Sequence, residues 1–451
     1  MQARGIDLSV PGPHLEDQEQ RVVKSIFEWE QYRLMFALST VGLCVNCQPS
    51  EPYLTQFLEE EKNLTSEQLN TAVWPFYTYG SFASLLFVGC AVETMGYKPV
   101  ILFGLLCRES TRLLLLFGSS LPLMSLMQMT YASASAVNAV YFAYAYCVMD
   151  PRYFQQATAC MHASFHIGNI FGSVLGQVLY DHTPVKHNLD VLFYLSWGFT
   201  SLGVLCFFIL LPRQRNPSPP SAFQLLRHEG FQVVLTQLRG MYAHAIILLW
   251  SLWWLMGFGA SNIITNYYQT QFYDIESDGD FGTVEALIEL FSALGSVLPA
   301  LLPAVLLTRP KASLIILCST SGAAAAMWYL STLLQDSIFY SYAFNIVGLG
   351  LFNFQYSFAS AAIALAVQSQ DSPRYALLFT FNSFVALGAA CLVQGVAAIM
   401  ELDTDGFYCI AAAQMASLVL LAPTIHVLWN RLSNSGRIEY STIGEEQLMQ
   451  E

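Results

Sequence analysis

Three glutamates lie in or beside long apolar stretches of this 451-residue chain, where an ionised carboxylate is costly. Glu51 follows the first stretch, in the segment PSEPYL at 49–54. Glu285 and Glu289 are one helical turn apart, so both can face one side of a helix. Carboxylates in such places typically bind a ligand or an ion. The alternatives are a loop position for Glu51 and solvent exposure at a membrane surface for Glu285 and Glu289.

Two further groups of charged or titratable residues lie in apolar segments. Arg108, Glu109 and Arg112 occur together. This favours a structural ion cluster with partners on another helix, with direct substrate binding as the alternative. His162 and His166 are one turn apart, a spacing that can bind zinc, but no third ligand accompanies them. A helix-buried pair with a role in proton movement is favoured.

Aromatic side chains accompany the carboxylates. Tyr77 follows Trp74 closely, and Tyr141 lies in the middle of another apolar segment. Aromatic faces and carboxylates together suit a flat cationic ligand, which they bind by stacking, cation–π attraction and ion pairing. An aromatic belt at the membrane–water interface is the alternative, and it explains Trp74 but not Tyr141.

The overall composition defines the class of protein. The sequence carries no phosphate-binding loop, serine elbow or zinc signature, so we expect no enzyme, ATP-driven pump, metal or cofactor. Hydrophobic residues make up 55% of the chain and charged residues 11%, against roughly 25% charged residues in ordinary globular domains. The net charge of −13 argues against a nucleic-acid partner. The composition predicts a multi-pass protein of the lipid bilayer.

Twelve stretches are long and apolar enough to span a bilayer, which takes roughly 20 residues. They occupy 32–50, 72–93, 99–118, 121–148, 153–180, 189–212, 243–270, 283–307, 311–333, 337–368, 374–400 and 407–430. The predicted fold is an all-α membrane protein of two six-helix bundles, 32–212 and 243–430. A linker at 213–242 joins them, and cytosolic tails occupy 1–31 and 431–451. Six plus six spans is the major-facilitator architecture.

Positive charges predict the orientation of the spans. With the N-terminus in the cytosol, fifteen Lys and Arg residues lie inside and only Lys62 and Lys186 lie outside. An even number of spans puts both termini in the cytosol. The outer loop then contains Asn63 in the sequon NLT, a predicted N-glycosylation site. In the linker, apolar residues between 223 and 238 recur at near-helical spacing, which predicts an amphipathic helix on the inner membrane face.

Two local patterns are expected to position these side chains. Pro49 and Pro52 flank Glu51 and predict a broken helix that lines a cavity. Gly168, Gly172 and Gly176 recur at every fourth residue, a spacing that lets helix backbones approach closely in lipid.

Several separated motifs resemble the reduced folate and thiamine carriers, solute carrier family 19. The motifs in the first half are PSEPYL at 49–54, KNLT at 62–65, PFYTY at 75–79, YKPV at 97–100 and GSVLGQ at 172–177. Those in the second half are WSLWW at 250–254 and RYAL at 374–377. The resemblance covers about residues 30–430 and implies a vitamin transporter of the plasma membrane.

The resemblance also separates two substrate classes by charge. Folate carriers have basic residues in their fourth, tenth and eleventh spans, where this chain has Asn138, Asn353 and Ala390. Without these cations, the two carboxylates of a folate have no partners at those places. Asn262 and Asn266 stand where thiamine carriers have asparagines and folate carriers have tyrosines. The resemblance therefore favours thiamine, an organic cation.

By resemblance, both halves contribute to one central site. Glu51 would bind the aminopyrimidine of thiamine, and Tyr77 and Tyr141 would stack on its rings. Asn262 would donate or accept a hydrogen bond. Glu285 matches a carboxylate of the thiamine carriers and would add negative potential or maintain the fold.

The chain departs from the thiamine carriers at two predicted site positions. Tyr77 replaces a tryptophan, and Asn138 replaces a glutamate, which removes one counter-charge for a cation. We expect a thiamine transporter that works by alternating access, with a proton link through Glu51, Glu285 and the two histidines as a hypothesis. A folate or pyridoxine-type carrier of the same family is the alternative. A non-transporting membrane receptor is a more remote alternative.

Overall fold

The computed structural model describes residues 13–150, 153–184, 188–211, 231–368 and 375–432, and these form helices without a β-strand. Six long helices belong to the first half, residues 13–211, with two short helices between the first and second of them. The helices of this half are α1 Pro13–Asn46, α2 Leu54–Glu60, α3 Ser66–Ala72, α4 Trp74–Met95, α5 Tyr97–Phe117, α6 Leu121–Val148, α7 Phe154–His182 and α8 Asp190–Leu210.

The second half, residues 231–432, begins with the amphipathic helix α9, and the part of the predicted linker helix at 223–230 lies outside the described residues. The first long helical segment of the second half runs from 245 to 275 and is interrupted by the π-helical turn Trp254–Phe258. The helices are α9 Phe231–Tyr242, α10 Ala245–Trp253, α11 Gly259–Ile275, α12 Phe281–Val297, α13 Ala304–Thr308, α14 Pro310–Leu333, α15 Ile338–Gln368, α16 Tyr375–Ile399 and α17 Thr404–Leu432.

Helix bounds differ from the predicted spans at both ends of the chain and in one interior span. α1 begins at Pro13, within the predicted tail 1–31, and α17 extends to Leu432. The predicted span 283–307 is not one helix, because α12 ends at Val297 and a 3-10 turn with Pro299 follows. Proline removes a backbone donor and clashes with the preceding turn, which ends the helix there.

Six helical segments within the described residues are long and apolar enough to cross a membrane. They are Asp190–Leu210, Ala245–Ile275, Pro310–Leu333, Ile338–Ile363, Phe381–Ile399 and Thr404–Val427. The remaining long helices include α5 and α7, which carry the arginines and histidines noted above. That all twelve segments cross the bilayer stays a prediction.

The glycine face of α7 packs directly on the end of α1, as its spacing predicts. A Cβ atom added at Gly172 would lie 2.5 Å from the backbone nitrogen of Gln48, and one at Gly176 would lie 2.4 Å from the carbonyl oxygen of Pro49. No side chain fits at either distance. The absence of side chains therefore lets α7 touch the backbone of α1 and of the turn that follows it.

The chain after α1 forms the predicted break. α1 ends at Asn46, and a 3-10 turn runs from Glu51 to Tyr53. The backbone N–H of Ser50 donates to Ser196 Oγ of α8 at 3.0 Å. The side chain of Gln48 donates back to the carbonyl of Val45 at 2.8 Å. The broken segment is thus held by neighbouring helices and carries Glu51 at a fixed place.

The two halves meet at the end of the bundle that carries α2 and α3, here called the capped end. Hydrogen bonds between side chains join the halves there, among them Ser66 with Asp274 at 2.9 Å, Asn70 with Thr404 at 3.1 Å, Trp74 with Thr270 at 3.0 Å and Tyr273 with Glu60 at 3.1 Å. Burial raises the pKa of the nearby Glu59 carboxyl. These contacts join the two halves at the capped end.

Replacing Gly172 by alanine tests the contact between α7 and α1. We expect Gly172→Ala to lower stability by about 1–3 kcal/mol, because the added methyl group overlaps the backbone of Gln48. Gly198 in α8 has no atom within 4 Å of an added Cβ, so Gly198→Ala is the control and should unfold at or slightly above the wild-type temperature. Thermal unfolding of the purified protein in detergent is the measurement, and equal unfolding temperatures for the two variants would contradict the contact.

Candidate functional site

A cavity of about 400 Å³ lies between the two halves. This volume suits a small organic molecule. The first half contributes the break after α1 together with α4, α5, α6 and α7, and the second half contributes α11, α12 and α15. The polar side chains and aromatic rings that line it include Glu51, Tyr77, Arg112, Tyr131, His166, Asn266, Tyr268, Glu285, Glu289 and Asn353.

On the first-half wall of the cavity, Glu51 forms an ion pair with Arg112 of α5, with 3.2 Å between Oε2 and Nη2. Arg112 also donates to Ser50 Oγ at 3.3 Å and to the side chain of Gln48. The Arg112 side chain is 4% exposed and that of Glu51 is 27% exposed, so Glu51 keeps a face toward the cavity. The carboxylate of Glu51 is therefore available to a ligand while its charge is balanced from behind.

The other members of the predicted ion cluster also bind outside α5. Glu109 accepts hydrogen bonds from Trp197 Nε1 at 2.6 Å and from Ser201 Oγ, both on α8. The guanidinium of Arg108 lies over the ring of Tyr131 at 5.9 Å from its centroid. These contacts match the structural interpretation of the cluster, whereas Arg112 also lines the cavity.

Two carboxylates form the second-half wall on α12. Glu285 accepts a hydrogen bond from Tyr268 at 2.5 Å. Glu289, one turn further along, accepts from Asn169 Nδ2 at 2.8 Å and lies 2.8 Å from His166 Nδ1. Neither carboxylate has an arginine or lysine partner among the described residues. Glu285 and Glu289 are thus the acidic groups of this wall, and both line the cavity.

The cavity contains an aromatic pair that the sequence did not reveal. The ring of Tyr77 lies 5.7 Å from that of Tyr131 on α6, at an angle of 37°. Both residues line the cavity. Tyr131 and Tyr268 were not identified from the sequence, and a ligand-facing role of Arg112 was given there only as the alternative. Tyr131 precedes Asn138 by two helical turns, so the same face of α6 was the signal that could have identified it.

The two asparagines of α11 form a linked set with Thr78. Thr78 Oγ1 donates to Asn262 Oδ1 at 2.8 Å, and Asn266 Nδ2 approaches both groups at 3.3 and 3.4 Å. Asn266 lines the cavity and Asn262 lies behind it. Asn262 and Thr78 therefore help to hold Asn266 in place at the cavity wall.

The structure does not bring Asn138 and Tyr141 into this cavity. They line a separate space of about 30 Å³ inside the first half. The hydroxyl of Tyr141 donates to the backbone carbonyl of Leu38, and its ring is buried. Of the other folate-carrier positions, Asn353 lines the cavity and Ala390 is buried on α16.

Of the remaining predicted positions, Asn63 and His162 lie apart from the cavity, whereas His166 lines it. Asn63 is exposed in the turn between α2 and α3 with a φ of +56°, and Thr65 caps α3. Its glycosylation stays a prediction. His162 is exposed and stacks on Phe142, with 4.2 Å between ring centroids, so it does not form a buried pair with His166. The described residues hold no group of three metal-ligating side chains.

Solved structures with similar folds are membrane transporters. The chain superposes on the POT family transporter PepTSo with a TM-score of 0.63 at 13% identity, over 88% of this chain and 98% of that one. It superposes on the xylose transporter XylE from E. coli with a TM-score of 0.60 at 11% identity, over 87% and 97%. The chain therefore shares the all-helical fold of these solved structures.

The sequence narrows this class to a family. A sequence model of the reduced folate carrier matches residues 28–218 and 217–407, and the chain belongs to that family. It is 24% identical to folate transporter 1 of Caenorhabditis elegans over 81% of this chain and 84% of that protein. It is 28% identical to the reduced folate transporter of Cricetulus griseus over 62% and 59%, and 25% identical to thiamine transporter 2 of Mus musculus over 55% and 60%.

A double-mutant cycle tests the ion pair of the cavity wall. We expect Glu51→Gln and Arg112→Gln each to lower the unfolding temperature, because each leaves one member of a largely buried pair without its partner. The double variant should lose less stability than the sum, by about 0.5–3 kcal/mol. Thermal unfolding in detergent measures this. Combining Arg112→Gln with Glu276→Gln, an exposed carboxylate after α11, is the control and should be additive. If the stability losses of Glu51→Gln and Arg112→Gln were strictly additive, the ion pair between these residues would contribute nothing to stability.

Proposed function

We propose that the protein carries thiamine, or a similar heteroaromatic cation, across the plasma membrane by alternating access. The observation that carries this proposal is the charge of the cavity wall. Glu51 is balanced by Arg112, whereas Glu285 and Glu289 have no arginine or lysine partner in the described part of the chain. The excess negative charge favours a cation over an anion.

The site residues receive roles from their positions. Glu51 binds the amino group of the ligand through its exposed face, and Tyr77 stacks on a ring together with Tyr131. Glu285 supplies negative potential. Asn266, held by Asn262, supplies a hydrogen bond. Tyr131 takes the stacking position that the resemblance gave to Tyr141, because Tyr141 lies outside the cavity.

A folate carrier is the second candidate within the family. Its case rests on Arg112, which lines the cavity. However, Glu51 already neutralises this arginine, and Asn353 offers no cation where folate carriers have one. A dianion would face two carboxylates without a matching pair of cations. A neutral pyridoxine-type vitamin faces no such penalty and is the third candidate.

The proposal includes the arrangement in the membrane. All twelve long helical segments cross the bilayer, both termini lie in the cytosol, and the capped end faces outward. The distribution of Lys and Arg supports this orientation. The exposed Asn63 lies at the capped end, where a glycan would point away from the cell.

Uptake of labelled thiamine and labelled folate, measured side by side in cells, tests the substrate. We expect saturable thiamine uptake by the wild type. Glu285→Gln should raise the half-saturating concentration about tenfold, which corresponds to a loss of about 1.4 kcal/mol of attraction. Glu276→Gln removes the same charge from an exposed position and should leave uptake unchanged.

Surface labelling establishes that each variant reaches the membrane in equal amount. Folate uptake without thiamine uptake would overturn the cation proposal. Equal thiamine kinetics for the wild type and Glu285→Gln would remove the second-half wall from the site.

Crosslinking of the capped end tests alternating access against a non-transporting receptor. Ser66 and Asp274 lie on different halves and are 2.9 Å apart through their side-chain oxygens. We expect a short thiol crosslinker to stop thiamine accumulation by the Ser66→Cys/Asp274→Cys variant in sealed vesicles, since the halves can no longer separate there. A reductant that cleaves the crosslinker should restore it. The two single variants control for the native cysteines. A receptor would bind thiamine without accumulating it, whether or not the crosslinker is present.

A further inference from the structure

Helices α7 and α12 meet across the two halves at the cavity. At the capped end of this contact, a Cβ added at Gly282 would lie 2.6 Å from the carbonyl oxygen of Ser173. Deeper in the bundle, His166 and Asn169 of α7 hold the two oxygens of Glu289 of α12, each at 2.8 Å. The carboxylate of the second half is thus bound by two side chains of the first half.

The contact between His166 and Glu289 requires a hydrogen between its two atoms. A carboxylate oxygen and an unprotonated ring nitrogen are both acceptors, and they repel each other at 2.8 Å. Nδ1 of His166 therefore carries a proton, or Glu289 does. A histidine that carries protons on both nitrogens makes an ion pair there, which is stronger than a neutral hydrogen bond. The charge state of this pair therefore bears on a contact between the halves.

Water and protons can reach this pair. The side chains of His166 and Glu289 are 29% and 19% exposed, and both line the cavity. His162, one turn away on α7, instead stacks on Phe142 and does not line the cavity. Histidine is the side chain whose unperturbed charge changes near neutral pH.

The other charged and titratable groups around the cavity have partners of their own. Glu285, on the same helix as Glu289, is bound by Tyr268 of α11. Glu51, after α1, and Arg112, on α5, bind each other. The facing helix α15 contributes the neutral Asn353. Within the described residues, His166 is thus the titratable base placed against the carboxylates of α12.

We propose that the His166–Glu289 pair is a proton-binding site whose charge state sets the affinity of the cavity for its substrate. A proton on His166 neutralises part of the negative wall and so weakens binding of a cation, while it would strengthen binding of an anion. The direction of the effect rests on the proposed substrate, but the proton site does not. The pair also crosses the halves, so the same proton strengthens their contact.

Thiamine binding by the purified protein between pH 8 and pH 5.5 tests the link to substrate. For the wild type we expect affinity to fall about tenfold as the pH falls. His166→Gln should flatten this dependence, and Glu289→Gln should flatten it at lower affinity. His162→Gln is the matched control, a histidine of the same helix outside the cavity, and should keep the wild-type profile. A wild-type profile in His166→Gln would overturn the proposal.

Thermal unfolding without substrate tests the proton site independently of the substrate assignment. We expect the wild type to unfold above His166→Gln by a larger margin at pH 5.5 than at pH 8, because the protonated histidine pairs with Glu289. His162→Gln should not show this change of margin. If the wild type fails to bind thiamine but shows the pH-dependent margin, the substrate proposal fails and the proton site stands. A margin that is independent of pH would overturn the proton site itself.

Discussion

The contact between the glycine face of α7 and the end of α1 is the constraint on which the cavity depends. Gly172 and Gly176 let the backbone of α7 lie directly against residues 47–49, so the chain after α1 turns at a defined place. That turn puts Glu51 at the cavity and brings Gln48 and Ser50 to Arg112. Gln177, the residue after Gly176, accepts from the hydroxyl of Tyr53 at 2.8 Å and from the backbone N–H of Gly282 at 2.8 Å. The glycine-rich face of α7, with Gln177, therefore positions the break after α1, the carboxylate of Glu51 and the start of α12 in the second half.

The carboxylates on the two walls of the cavity have different kinds of partner. On the first half, Glu51 and Arg112 neutralise each other, and further hydrogen bonds from Arg112 to Gln48 and Ser50 satisfy the guanidinium. On the second half, Tyr268 donates to Glu285, and Asn169 and His166 bind Glu289, without an arginine or lysine partner among the described residues. Under the proposed function, a ligand that brings its own positive charge pairs with these carboxylates and lowers the cost of their burial.

Side-chain chemistry in the sequence predicted the helical fold, the break at Glu51 and the packing of the α7 glycines, because prolines, glycines and charges have strong local effects. The rotation of α6 about its axis was not predictable in this way. Tyr131 and Tyr141 are ten residues apart, which puts them about 80° apart around a helix, and only Tyr131 lines the cavity. Asn138 shares the face of Tyr131 but lies two turns further along α6 and outside the cavity, and the sequence does not indicate how far along a helix a cavity extends. The partner of His166 was not predictable either. His166 binds Glu289 of the other half and does not pair with His162, one turn away on the same helix.

The uneven distribution of apolar helices has a consequence for biogenesis. Within the described residues, α8 is the one helix of the first half that is long and apolar enough to cross a membrane, whereas the second half has five such segments. Polar groups on the other helices reduce the free energy that each gains by entering lipid alone. In α5, Glu109 obtains its hydrogen-bond partners Trp197 and Ser201 from α8, and Arg112 pairs with Glu51 after α1. Because α8 is synthesised after α5, the carboxylate of Glu109 has neither partner until α8 has been made.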